Sequence, residues 1–234
     1  MSRKNNLIFA LVAGVAGIIG ISNIAQAQPV LTGEVGVVSR DIYRGVQTND
    51  EVSAFASARV SNLFVDGLFV DGSFNTIDNE KGRGRVGVGY GLTHGDFSWE
   101  VSANRNIWAD QFAVEDFTEF TGRVGYNILG VSKVFAEVSY APNAVGNDLD
   151  VTYATAGVDF LVTDKFTVGA AVTGYNFEVE GGPSDTTYHA TYVTASYNVW
   201  NKFDVFGQYS FGGDAPYGLG NIDNVSNVGV RYRF

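Results

Sequence analysis

The sequence predicts an all-β protein, a transmembrane antiparallel up-and-down β-barrel of about 12 strands. Three observations predict this fold class. Apolar and polar side chains alternate with a period of two along most of the chain, short and long connections alternate between these segments, and the last segment ends at Phe234. Although 45% of the 234 residues are hydrophobic, the mean hydropathy is only +0.03, so apolar residues are interleaved with polar ones rather than gathered into blocks.

The N-terminus carries the one continuous apolar block. A basic Arg-Lys pair precedes an apolar stretch over residues 7–21, and an Ala-Gln-Ala cleavage pattern ends at Ala27. This arrangement is typical of a secretory signal peptide, and the stretch is short for a membrane-spanning helix. We therefore expect residues 1–27 to be a signal peptide and residues 28–234 to form an outer-membrane β-barrel domain. Removal of the basic pair leaves 13 basic against 25 acidic residues, a net charge of −12.

The rest of the chain alternates with the period of a strand. In residues 97–103, for example, Phe, Trp, Val and Ala alternate with Ser, Glu and Ser. No later segment approaches the roughly 20 consecutive apolar residues of a membrane helix. The pattern predicts strands near residues 31–41, 52–61, 66–75, 83–92, 96–105, 116–127, 131–140, 150–161, 165–176, 187–198, 203–211 and 224–234.

The connections between these strands alternate in length. Short ones lie near residues 62–65, 93–95, 128–130, 162–164 and 199–202, and longer polar ones near 42–51, 106–115, 141–149, 177–186 and 212–223. Tight turns at one end and long loops at the other are the layout of bacterial outer-membrane barrels. Twelve strands of about 10 residues use about 120 residues. Sixteen strands would leave too few residues for these loops, whereas 10 or 14 would need one miscounted hairpin.

The alternation also separates a membrane barrel from soluble β folds. A lipocalin-like barrel, a β-sandwich or a propeller buries its apolar face inside, where bulky residues fill a core. In this sequence the face opposite the apolar one is rich in Gly, Ser, Thr and charged residues. Such a face suits a water-filled lumen, with the bulky face outward.

Composition excludes several functional classes. The chain has no Cys, so it has neither disulfides nor a thiolate for metal binding or catalysis. Its 25 acidic residues against 15 basic ones argue against a nucleic-acid partner. Ser184, Asp185 and His189 lie close in sequence, but no nucleophile motif surrounds Ser184. We expect no enzymatic activity, no metal site and no cofactor.

The closing strand supports membrane insertion. Val228, Val230, Tyr232 and Phe234 point one way, while the residues between them, including two Arg, point the other. An alternating last strand with a terminal Phe resembles the assembly signal of outer-membrane barrels. It implies the barrel-assembly machinery as a partner, together with outer-membrane lipid and lipopolysaccharide.

Two segments carry a family resemblance. The run Ser39-Arg40-Asp41-Ile42-Tyr43-Arg44-Gly45-Val46-Gln47-Thr48-Asn49-Asp50 resembles the opening motif of the TorF-like porins, in which the matching positions are Ser39, Asp41, Tyr43, Arg44, Gly45 and Gln47. The segment over residues 66–75 is similar to the second segment of that family. The chain departs from the motif by a one-residue deletion after Val46. The resemblance implies an outer-membrane pore whose cargo is not specified.

The Arg44-Gly45 pair in this motif has two interpretations. Arg44 would pair locally with Asp41 or Asp50 and fix the first long loop, which is the favoured interpretation because exposed Arg beside Asp commonly forms a local pair. Alternatively, Arg44 would lean into the pore mouth, with Gly45 supplying the positive φ of a tight reversal.

With the bulky face outward, eleven charged residues point into the lumen. They are Arg59, Asp71, Arg83, Arg85, Glu100, Glu119, Arg123, Glu137, Asp159, Arg231 and Arg233. One interpretation is a salt-bridge network that stiffens a narrow barrel. The other is a constriction whose charged walls orient small polar solutes. The two interpretations are compatible.

The sequence thus predicts an outer-membrane porin-like channel for passive diffusion of small polar solutes or ions. Two alternatives stay open: a structural or surface-interaction barrel with a closed lumen, and a channel for acidic oligosaccharides in which inward Arg residues form a binding track. Cargo, ion selectivity and oligomeric state are not encoded in any pattern identified in the sequence.

Overall fold

The computed structural model describes residues 28–48, 50–78, 81–109, 116–144, 149–179, 186–211, 213–214, 221–222 and 224–234. Within these ranges the strands are β1 (Val30–Val38), β2 (Ile42–Tyr43), β3 (Val46–Gln47), β4 (Ser53–Ser61), β5 (Leu68–Asp78), β6 (Lys81–His94), β7 (Phe97–Ala109), β8 (Phe117–Ile128), β9 (Ser132–Ala141), β10 (Leu149–Thr163), β11 (Phe166–Val179), β12 (Thr186–Trp200), β13 (Phe203–Phe211), β14 (Gly213–Asp214), β15 (Asn221–Ile222) and β16 (Val225–Arg233). No helix in the described part of the chain is long and apolar enough to cross a membrane. The predicted signal peptide lies outside the described residues.

Twelve strands close into one antiparallel barrel in the order β1, β4 to β13, β16. The first strand pairs with the last, with Val37 opposite Val230, and on its other side with β4. Closure removes the sheet edges, so the strand backbones pair on both sides, as a β-structure in lipid requires. The predicted 12-stranded antiparallel barrel is confirmed.

The twelve predicted strands correspond to the barrel strands, with ends that differ by at most four residues. The largest difference is at β7, which continues to Ala109 because it stays paired with β6 up to Gly82. The first strand ends earlier than predicted, at Val38, because the chain turns away from the barrel wall at Ser39. Two short hairpins, β2 with β3 and β14 with β15, were not predicted.

The barrel has two different ends. At the short-turn end, adjacent strands join through tight turns in which Gly95, Leu129, Gly130 and Asn201 have positive φ. At the long-loop end lie the first loop, residues 39–52, and the longer connections. The strand bounds confirm the alternation of short and long connections from β6 onward, but residues 79–80 alone separate β5 from β6, where the alternation required a longer connection.

The outward face of the barrel is apolar. Val88 on β6 and Val124 on β8 are exposed, and Tyr126, Phe160 and Tyr197 form part of an exposed aromatic row at the short-turn end. The most deeply buried side chains are in contrast largely polar, such as Glu119 and Asp204. This arrangement inverts that of a soluble protein and matches a barrel whose outer face meets lipid.

Candidate functional site

The inner face of the barrel carries the charged residues. A guanidinium nitrogen of Arg59 on β4 lies 3.0 Å from a carboxylate oxygen of Glu100 on β7, although two strands separate β4 from β7. Such a contact can form only across the concave side of a closed sheet. Alternation along each strand then assigns the other side chains to the inner or the outer face.

By this alternation, the eleven charged residues singled out in the sequence lie on the inner face. Ten of them form ion pairs or close ring contacts there: Arg59, Asp71, Arg83, Arg85, Glu100, Glu119, Arg123, Glu137, Arg231 and Arg233. Asp159 borders a cavity at the short-turn end of the same face. The structure divides these residues between two zones and a wall cluster that connects them.

The first zone is organised by the first loop, which folds into the lumen as the β2–β3 hairpin. The backbone N–H of Ser39 donates to the Val228 carbonyl at 2.8 Å, and the Asn227 side chain donates to the Arg40 carbonyl at 3.2 Å. Both bonds attach the start of the loop to β16. From there the loop contacts side chains of β5, β6 and β8 to β12, so it crosses the interior.

Arg44, at the tip of this hairpin, is bound by the opposite wall. Its guanidinium donates to both carboxylate oxygens of Glu119, at 3.0 and 3.2 Å, and to Glu137 at 3.2 Å and Ser139 at 3.0 Å. It also lies 4.3 Å from the ring centroid of Tyr153. Burial by itself lowers the pKa of Arg44, but Tyr43 and the carboxylates of Glu119 and Glu137 outweigh that effect and raise it, so the guanidinium stays charged.

This geometry corrects the favoured interpretation of Arg44. The residue pairs with neither Asp41 nor Asp50 but reaches into the pore, as the second interpretation proposed. The local pairing is wrong because Asp41 is already engaged by other groups. Its carboxylate accepts from Thr48, from the Asn75 amide at 3.1 Å and from Arg83 at 3.4 Å.

Two guanidinium groups lie close to the ring of Tyr43. Its ring centroid lies 4.1 Å from the Cζ atom of Arg83 and 5.1 Å from that of Arg44. Burial raises the pKa of the Tyr43 phenol, which therefore stays neutral. A neutral aromatic ring with two cations this close is a favourable cation–π arrangement.

Gly45 closes the hairpin against β11 and β12. Its φ is +87°, and a Cβ atom at this position would lie 2.6 Å from the Cβ of Ala190. The hydroxyl of Tyr175 donates to the Arg44 carbonyl at 2.5 Å. The positive φ expected at Gly45 is confirmed, and the close approach explains why no side chain fits there.

The motif residues Ser39, Asp41, Tyr43, Arg44 and Gly45 therefore all hold the hairpin in the lumen, whereas Gln47 is exposed and pairs with Ile42 in the hairpin backbone. Sequence reasoning missed the residues that receive the hairpin. They are Asn75, Ser139, Tyr153, Tyr175 and Ala190. Their inward direction follows from strand alternation, but their contact with the loop does not.

The second zone lies at the short-turn end and is more open. A carboxylate oxygen of Asp204 lies 3.1 Å from Nε of Arg231 and 2.7 Å from Nε of Arg233. Arg231 also forms an ion pair with Glu34 at 3.4 Å. Asp204, Arg231 and Arg233 border a cavity of about 580 Å³ that Asp159 and Lys165 also line. Asp204 was missed as a lumen residue, although it alternates with the outward Phe203 and Val205 and was therefore predictable.

A wall cluster connects the two zones. Asp71 pairs with Arg59 at 3.0 Å and Arg85 at 3.3 Å, while Arg59 also pairs with Glu100. Arg123 lies over the ring of Phe135, 4.8 Å from its centroid, and has no carboxylate within ion-pair distance among the described residues. The inner face thus offers both paired and unpaired cations to the lumen.

The outward side chains of the closing strand also have clear positions. Val228, Val230 and Phe234 are exposed, and the Tyr232 ring lies 6.5 Å from that of Phe234. The Phe234 backbone exchanges two hydrogen bonds with Gly33 of β1, at 3.0 and 3.1 Å. The terminal residue therefore belongs to the seam that closes the barrel.

No catalytic or metal constellation is found in the described ranges. No group of three or more His, Asp or Glu in these ranges is placed to hold a metal ion. Ser184 and Asp185 lie outside the described residues, and His189 is exposed on β12.

No protein-family model and no curated protein sequence matches the chain. Solved structures of outer-membrane channels resemble its fold. A KdgM porin is 13% identical, with a TM-score of 0.58 over 87% of this chain and 99% of that chain. A KdgM porin in complex with disordered oligogalacturonate is 12% identical, with a TM-score of 0.56 over 88% and 99%. The COG4313 outer membrane channel from Pseudomonas putida F1 is 9% identical, with a TM-score of 0.55 over 91% and 97%. The chain thus has the fold of these channels.

Proposed function

We propose that the chain is an outer-membrane porin of the TorF-like kind that conducts small polar solutes or ions by passive diffusion. Residues 1–27 direct its export, and Val228, Val230, Tyr232 and Phe234 are its signal to the barrel-assembly machinery. Deletion of Phe234 is expected to leave export intact and to impair insertion. Normal amounts of heat-modifiable protein in the outer membrane from that deletion would refute the assembly role.

The observation that carries the proposal is the polarity of the two faces. The outward face is apolar, while the inward face has charged groups that stay accessible to water, such as Arg59, Arg85 and Arg233. A hydrated lumen through an apolar shell is the architecture of a diffusion pore. The β2–β3 hairpin narrows this lumen, so we expect a low conductance and a small size limit.

Conductance in planar lipid bilayers tests the channel directly. Purified, folded protein is expected to give stable open steps, and proteoliposomes are expected to swell in monosaccharides faster than in tetrasaccharides. Insertion without any steps would contradict the channel and favour a structural barrel with a closed lumen, in which the hairpin seals the interior.

A channel for acidic oligosaccharides is the second candidate. Arg59, Arg85, Arg123, Arg231 and Arg233 give the inner face cations along much of its length, and one structure with this fold is a KdgM porin complexed with oligogalacturonate. Planar carboxylates are good partners for guanidinium groups. Block of the current by oligogalacturonate, but not by a neutral oligosaccharide of equal length, would favour this candidate over a general pore. Equal, weak effects of both would favour the general pore.

A further inference from the structure

Arg105 on β7 is an unusual residue on the outward face. Among the barrel-strand side chains that the structure describes, it is the one Lys or Arg that alternation places outward. The Arg105 guanidinium is exposed and donates to the Thr118 hydroxyl of β8 at 3.3 Å. A cation on the lipid face strongly destabilises a barrel at the membrane midplane but has little effect near the interfaces. The depth of Arg105 in the membrane therefore decides what role it can have.

The depth of Arg105 corresponds to the outer interface. It lies eight residues beyond Phe97, which begins β7 at the short-turn end. Eight residues span about 27 Å along a strand, or about 20 Å along the membrane normal at a tilt near 40°. Because the apolar band of such barrels is about 25 Å tall, Arg105 is placed near the lipid headgroups at the long-loop end.

A groove on the same face begins directly below Arg105. Ala103, two residues from Arg105 on β7, and Gly122 on β8 form its floor, and Val88, Val101 and Phe120 form its walls. The groove has a volume of about 630 Å³ and an apolar lining. A Cβ atom at Gly122 would meet no atom within 4 Å, so the missing side chain leaves open space.

A second apolar groove provides an internal comparison. It has a volume of about 540 Å³ and is lined by Phe160, Ala170, Ala195 and Tyr209, among others. On the strands that line it, the described outward charges nearer the long-loop end are acidic, as at Asp150 and Glu178. Of these two grooves, the first combines an apolar trough with a cation at headgroup height.

We propose that Arg105 and the groove beneath it bind one phosphorylated lipid of the outer leaflet, of the lipopolysaccharide class. The lipid phosphate accepts hydrogen bonds from the Arg105 guanidinium and the Thr118 hydroxyl, and an acyl chain lies along Ala103 and Gly122. Charge complementarity selects this occupant over a second copy of the chain. The acidic neighbour Asp116, further toward the loop, is engaged by the backbone, because its carboxylate accepts a hydrogen bond from the Trp108 N–H at 2.9 Å. The inference rests on the proposed membrane location but not on conduction.

Native mass spectrometry of the folded protein in an uncharged detergent, titrated with bisphosphorylated lipid A, tests the site. The wild type is expected to hold one lipid A. Arg105→Gln is expected to weaken binding about tenfold, the loss of one charge-assisted contact. Gly122→Leu fills the groove and is expected to weaken lipid A binding by a similar factor, while Arg105→Lys is expected to retain most of the affinity. Ala195→Leu, in the second groove, is the matched control and is expected to bind like the wild type.

Titration with dephosphorylated lipid A separates the contribution of the headgroup from that of the acyl chain. The wild type is expected to bind the dephosphorylated lipid as weakly as Arg105→Gln binds the phosphorylated one. Arg105→Gln is expected to bind both lipids with the same affinity. Equal binding of lipid A by the wild type, Arg105→Gln and Gly122→Leu would overturn the proposal. A dimer that Gly122→Leu dissociates would also overturn it, by assigning the groove to a second copy. Conductance of Arg105→Gln is expected to equal that of the wild type, so a failed lipid site and a failed channel give different results.

Discussion

The two halves of the barrel interior contain the same kinds of charged residue but surround them differently. In the long-loop half, Arg44 pairs with Glu119 at 3.0 Å, and the two side chains are 12% and 2% exposed. In the short-turn half, Arg59 and Glu100 pair at the same 3.0 Å distance but are 34% and 27% exposed. The difference between these two pairs is the hairpin, which covers Arg44 and Glu119 but not Arg59 and Glu100.

This contrast shows that the contribution of an ion pair to stability cannot be inferred from its distance alone. Solvated pairs contribute about 0–1 kcal/mol, because water competes for both partners. Removing one partner of a buried pair costs about 3–5 kcal/mol, because the remaining charge has neither water nor a counterion. The Arg44–Glu119 pair is thus fixed in one arrangement, while the Arg59–Glu100 pair, which water reaches, can exchange partners with passing solute.

Arg44→Ala is expected to have the largest effect. It leaves the Glu119 carboxylate buried without its principal partner, so the free energy of unfolding should fall by about 3–5 kcal/mol. Urea titration in lipid vesicles measures the change. The double variant Arg44→Ala with Glu119→Gln removes the orphaned charge and should recover much of the loss. No loss in the single variant would mean that the hairpin does not occupy the lumen.

The lipid face gives the next largest effect. Val124→Arg, on the outward face of β8, is expected to cost about 2–4 kcal/mol if it lies near the midplane, and Val88→Arg on β6 should behave alike. Leu129→Arg in the exposed turn after β8 is the control and should change stability by less than about 0.5 kcal/mol. Equal stability of all three variants would show that the two faces are inverted.

Gly45→Ala tests the tip of the hairpin. The added methyl meets Ala190 and the backbone has a φ of +87°, so we expect a loss of about 2 kcal/mol. Gly130→Ala is the matched control, since Gly130 has a φ of +71° but no atom within 4 Å of the added carbon. It should lose about 1 kcal/mol from backbone strain alone. If both variants lose the same amount, Gly45 does not pack against β12.

Arg59→Ala should give the smallest effect, about 1 kcal/mol, measured by the same urea titration. Asp71 keeps Arg85 at 3.3 Å, and water reaches Glu100 once Arg59 is gone. A loss as large as that of Arg44→Ala would remove the distinction between the two halves.

The barrel was predictable from sequence because its signals are local. Alternation assigns each side chain to a face, and it would have assigned Asp204 to the lumen as it did Arg231. The partners of Arg44 were not predictable, since Glu119 and Glu137 lie 75 and 93 residues away and meet Arg44 only after the barrel closes. Local sequence reasoning predicted Asp41 as the partner of Arg44, but the Asp41 carboxylate binds Asn75 and Arg83.

The hairpin prediction extends from stability to conduction. Residues 42–47 are bracketed by Asp41 and Thr48, whose backbone N–H donates to the Asp41 carbonyl at 2.9 Å. Because these ends are close, a variant that replaces residues 42–47 by two glycines can retain the rest of the barrel. Folding of this variant is checked by heat modifiability before recording.

Single-channel conductance of the wild type and this hairpin-deleted variant, recorded in the same planar bilayers and salt, tests the central claim most directly. A narrow channel restricted by the hairpin predicts small, stable steps for the wild type and steps severalfold larger for the variant, because the deletion restores water to the long-loop half of the lumen. Equal steps from the two proteins, or the absence of steps from a properly inserted variant, would contradict it.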